Sequence, residues 1–94
     1  MATNDDPTIR GLREQISDAD RALIDAINRR LELVEELWRY KREQGIPVLA
    51  PEREEFMVTY LTRANRGPLS DDGLRALYGE VLALTKRELG GSDG

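Results

Sequence analysis

The 94-residue chain contains no histidine and no cysteine, and these two absences exclude most of the familiar catalytic chemistries. Without histidine it lacks the usual general base at neutral pH and the commonest zinc ligand. Without cysteine it has no disulfide framework, no thiolate nucleophile and no thiolate metal site. No glycine-rich strand-to-helix turn is present to cradle a phosphate, and no nucleophile elbow. No stretch approaches the ~18 apolar residues that a membrane span needs. Near the start stand Asp5 and Asp6, where a secretion signal would be basic, so a cytoplasmic address is expected. Surplus positive charge is also missing: 14 Lys and Arg against 18 Asp and Glu leave a net charge of −4. That balance argues against nucleic acid as a partner.

What is present reads as all-α. Apolar residues make up 39% and charged residues 34%, which suits helices with solvated outer faces in one small domain over 1–94, ordered from about 7 to 90. Asp6 followed by Pro7 is a helix start, with a carboxylate to cap free N–H groups and a proline at the first helical position. From there to about Gln44 no proline intervenes; Gly45 then supplies a left-handed stop and Pro47 prevents resumption. Within this run Ile9, Leu12, Ile16, Ala19, Leu23, Ile27, Leu31, Val34, Leu37 and Trp38 recur at alternating steps of three and four, which is one helix face. A helix of this length reaches roughly 55 Å at ~1.5 Å per residue, far beyond the ~12–13 Å radius of gyration of a compact domain this small. The remaining half of the chain is too short to cover the stripe, so a second copy is expected to do so.

Two further helices follow a short apolar connector, Ile46 to Ala50. The second begins with Pro51 at its first position and runs to about Asn65, with Arg53, Phe56, Met57, Tyr60 and Ala64 as its expected inner face. Gly67 and Pro68 end it. Ser70 caps the third, with Asp71 and Asp72 favourably placed against its dipole. That helix carries Leu74, Leu77, Tyr78, Val81, Leu82, Thr85 and Leu89, and stops at Gly90–Gly91.

The candidate chemistry lies in cations that interrupt these stripes. Arg30 and Lys41 share a side of the first helix with Val34 and Leu37, because eleven residues advance a helix by about three turns. Arg53, with Glu54 beside it, heads the second helix, and Arg13 adds a cation from the far end of the first. Arginine and lysine seldom point at a core without a partner or ligand there. The guanidinium fork matches a carboxylate in two-point fashion. The set suits a small dicarboxylate whose reaction needs positioning and charge stabilisation more than proton transfer. The competing reading is that each cation pairs with Glu32, Glu35, Glu36 or Glu55 on a solvated surface.

The run LREQISDADRALIDAINRR, Leu12 to Arg30, resembles the first helix of the all-helical chorismate mutases. So do Lys41, the proline-containing connector and PEREE at Pro51 to Glu55, and the resemblance extends over about residues 9 to 89. It implies an intertwined homodimer of three-helix chains, each active site built from both. It also implies an isomerase of the shikimate pathway, serving aromatic amino acid biosynthesis, that needs no cofactor or metal. The reaction implied is the Claisen rearrangement of chorismate to prephenate. By the resemblance, Arg30 clamps a substrate carboxylate and Arg13 is contributed by the partner chain. Lys41 binds the ether oxygen and adjacent carboxylate, Arg53 lines the pocket near a carboxylate, and Glu54 meets the ring hydroxyl. Thr85 stands where many members have serine.

Two positions depart from the pattern. Ala50 replaces an aspartate that also contacts the ring hydroxyl, and Leu89 stands where glutamine or glutamate meets the ether oxygen, with Glu88 one step away. Some relatives acting on isochorismate or on the 4-amino analogue of chorismate also lack that aspartate. Three readings therefore stay open: a chorismate mutase, a 4-amino-4-deoxychorismate mutase or isochorismate pyruvate lyase, and a catalytically silent helical dimer serving a regulatory or partner-binding role. A partner enzyme of the same pathway fits any of them.

Overall fold

A computed structural model of the chain describes residues 4–90. Three helices follow one another: α1 over Pro7–Glu43, α2 over Pro51–Ala64 and α3 over Asp71–Thr85, the last continued by a π-helical turn at Lys86–Gly90. No helix among the described residues is long and apolar enough to cross a membrane.

The ends of α1 are set by the residues expected to set them. The Thr8 amide donates to Asp6 Oδ1 at 2.7 Å, the side-chain cap that an aspartate supplies to an orphan N–H. At the other end Gly45 adopts φ 69°, Ile46 N–H donates to the Lys41 carbonyl at 2.8 Å and Gly45 N–H to the Arg42 carbonyl at 3.2 Å. Those two bonds form the Schellman motif, whose left-handed residue glycine takes without a Cβ penalty. α3 is capped by Ser70, whose hydroxyl accepts from Gly73 N–H at 2.9 Å. The loop before it is held by Asn65, which donates to the Leu69 carbonyl at 2.7 Å and accepts from Gly67 N–H at 3.1 Å.

The chain divides into two compact units, one up to Val34 and one from Glu35 onward, with α1 running through both. In the first unit the middle of the apolar stripe is open, with Leu12, Ile16 and Leu23 54%, 59% and 51% exposed, while Ile9, Ile27, Leu31 and Val34 are half-buried. In the second, Trp38 and Leu74 are buried, as is Thr85. α2 packs on α3, and Gly90 lies beside Trp38, where an added Cβ would make ordinary van der Waals contact with the ring at 3.5 Å.

Two details differ from the sequence expectation. The covered side of α2 is Glu54, Met57, Val58 and Leu61, while Arg53, Phe56 and Tyr60 stand open to solvent. The helix has two apolar strips, and only one of them is covered by α3. The third helix also fails to remain α-helical to its end. After Thr85, whose Oγ1 donates to the Val81 carbonyl at 2.7 Å, the last turn at Lys86–Gly90 takes the wider π form.

Candidate active site

Arg13 and Arg30 lie in the first unit. Arg13 is exposed, its guanidinium donating to the Asn4 backbone carbonyl and to Asn4 Oδ1, both at 3.2 Å. Arg30 is half-buried, unlike its neighbour Arg29, which forms an exposed pair with Glu32 at 3.5 Å. Exposed pairs within α1 join Arg29 to Glu32, and Arg39 to Glu35 at 3.6 Å.

The second unit holds the other candidates. Lys41 is half-buried and donates from Nζ to the Val48 carbonyl at 3.2 Å, tying the connector to α1. An ammonium has three donors, so this bond leaves capacity for an anion. Arg53 is exposed, and its guanidinium carbon lies over the Phe56 ring, 5.3 Å from the centroid, a cation–π contact. Phe56 in turn stacks on Tyr60 with centroids 6.3 Å apart.

Glu54 turns the other way, towards α3. Its Oε1 lies 3.1 Å from Lys86 Nζ, and its side chain is 30% exposed. Lys86 is the residue that sequence reasoning missed. It follows Tyr78 and Leu82 at steps of four and precedes Leu89 by three, so the spacing that singled out Arg30 also marks it, but its pairing across two helices has no local signal. Ala50 is half-buried as the N-cap of α2, where it supplies no side-chain cap; its carbonyl accepts from Arg53 N–H at 3.0 Å and Glu54 N–H at 3.1 Å. Thr85 is buried at the end of α3, one residue before Lys86.

The π turn bears on Leu89 and Glu88. A turn closed by i→i+5 bonds holds about one residue more than an α turn, so it carries Glu88 further from the Thr85 side and leaves Leu89 near it. The exposures agree, with Leu89 half-buried and Glu88 open to solvent. The inward position after Thr85 is therefore apolar.

Within the second unit, Lys41 and Arg53 can bind an anion and Glu54 can accept from a hydroxyl. Residues 12–88 match the family model described as Chorismate mutase type II. The chain belongs to that family. Among solved structures it is similar to chorismate mutase (Form II) from Thermus thermophilus, at 35% identity and a TM-score of 0.79, covering 83% of this chain and 89% of that one. Form I of the same protein gives a TM-score of 0.80, covering 83% of this chain and 98% of that one. Among curated proteins, the T-protein of Haemophilus influenzae is 42% identical over 85% of this chain and 20% of its own length. The bifunctional chorismate mutase/prephenate dehydratase of Pseudomonas aeruginosa is 27% identical over 84% of this chain and 23% of its own length. This mutase-family chain thus spans about a fifth of the length of these two curated relatives.

Proposed function

We propose that the chain is a cytoplasmic chorismate mutase acting as a homodimer, with residues 7–90 forming one mutase domain. The observation that carries this reading is the match along residues 12–88 together with the cations on α1 and at the head of α2. In the reaction the C–O bond of the enolpyruvyl ether breaks as the new C–C bond forms, with no proton, electron or co-reactant exchanged. The protein lowers the barrier by holding the compact conformer and stabilising negative charge on the ether oxygen. Arg30, and Arg13 from the partner, hold the carboxylates. Lys41 meets the ether oxygen and a carboxylate, and Arg53 adds positive potential at the mouth. Glu54 accepts from the ring hydroxyl, while Thr85 and Leu89 wall the pocket.

Incubation of the purified protein with chorismate, isochorismate and 4-amino-4-deoxychorismate tests the reading. Prephenate from chorismate is the expected product. Release of pyruvate from isochorismate, or faster turnover of the amino analogue, would move the chain to a sister activity. Conversion of none would mark a silent dimer.

Ala50 favours examining the sister substrates, because it leaves Glu54 alone to orient the hydroxyl. Ala50→Asp should raise kcat/KM for chorismate by about tenfold, the equivalent of one charged hydrogen bond at ~1–2 kcal/mol. Since Ala50 is an uncapped N-cap, the aspartate should also stabilise α2 by about 1 kcal/mol. Thermal unfolding reads that second effect separately. Loss of chorismate turnover in the stabilised variant would contradict chorismate as the native substrate.

A further inference from the structure

We propose that Lys86 is a positioning residue for Glu54, holding its carboxylate for the substrate hydroxyl and cancelling its charge against a dianionic substrate; this rests on the mutase reading above. The pairs Arg29–Glu32, Arg39–Glu35 and Arg75–Asp72 each lie within one helix at 3.5, 3.6 and 3.9 Å, with every side chain more than half exposed. Lys86–Glu54 joins α3 to α2 at 3.1 Å, with the carboxylate the more covered partner at 30% against 46%. Exposed ion pairs add little to stability, so the consequence of this one lies in what it does to the carboxylate.

A carboxylate facing a substrate that carries two negative charges is a repulsive element unless a cation offsets it. Lys86, the more exposed of the two at 46%, supplies that cation from the turn after α3. It engages Oε1, and a carboxylate has lone pairs on both oxygens, so Oε2 stays available to accept from a hydroxyl. The pair also fixes a side chain that would otherwise sample several rotamers, and positioning of this kind lowers the cost of binding. The fold places Lys86 for the task. It is the first residue of the π turn, directly after buried Thr85, and its N–H is shared between the Leu82 and Ala83 carbonyls.

The test is a double-mutant cycle on the full chain with chorismate, recording kcat and KM separately for wild type, Lys86→Met, Lys86→Arg, Glu54→Gln and Lys86→Met/Glu54→Gln. Lys86→Met should raise KM about tenfold with a smaller change in kcat, and Lys86→Arg should restore KM to within about threefold. In the Glu54→Gln background, where no carboxylate charge remains, Lys86→Met should change KM by less than about twofold. Equal losses in both backgrounds would mean that Lys86 acts on substrate or fold directly, and no loss in Lys86→Met would mean that it does not act at all. Either result overturns the proposal while leaving the mutase reading intact. A wild-type chain that turns over no chorismate overturns both.

Discussion

Arg30→Ala and Lys41→Ala should each reduce chorismate turnover by roughly two to three decades while the helical signal stays close to that of wild type. The size follows from removing a charged contact in a closed site, ~2–5 kcal/mol, with each ~1.4 kcal/mol worth a factor of ten in rate. The sparing of the fold follows from where the residues sit. Both are half-buried on α1, a helix whose ends are held elsewhere by the Asp6 cap and the Gly45 stop. Lys41 has a second attachment, its bond to the Val48 carbonyl, so Lys41→Ala also releases the connector ahead of Ala50. Lys41→Arg separates the two effects, since it keeps the positive charge but presents it as a planar fork in place of a compact ammonium. Retention of most activity in both alanine variants would show the cations to be surface decoration.

A second large effect is expected on α1 itself. Leu23→Glu should abolish the dimer and, at micromolar concentration, most of the helical signal. Leu23 is 51% exposed in the single chain, with Leu12 and Ile16 barer still on the same stripe. A second copy laid on this stripe would bury all three, and burying an unpaired carboxylate costs several kcal/mol. That is a large share of the marginal stability of a domain this small. The wild-type thermal midpoint should also rise with protein concentration, because association stabilises only the folded form. Sedimentation of a well-folded wild-type monomer, or a Leu23→Glu chain with unchanged melting, would remove the dimer from the account.

The helices were legible because their punctuation is local. Asp6–Pro7 and Gly45 act through caps and φ values that a few neighbouring residues determine, and α1 ends within a residue of where they place it. The orientation of α2 was less legible. Phe56 and Tyr60 form as good a stripe as Met57 and Leu61, and only the position of α3 decides which is covered. The π turn follows a Thr85 back-bond of the kind that Thr62 also makes to Val58 within a regular α2, so that hydroxyl does not announce it, and the Lys86–Glu54 pair depends on two helices meeting. The candidate cations were visible because they break stripes. Lys86 also falls on the third helix's stripe, four residues after Leu82, but its pairing with Glu54 depends on where that helix meets α2.

A site shared between two chains is tested most directly by mixing complementary variants. Arg13→Ala and Arg30→Ala chains, each nearly inactive alone, are refolded together in equal amounts so that dimers assort at random. In a mixed dimer one site carries both changes and the other carries neither, so the mixture should recover about a quarter of wild-type activity. If the mixture is no more active than its two components separately, Arg13 and Arg30 serve the same chain's site and the shared site is wrong.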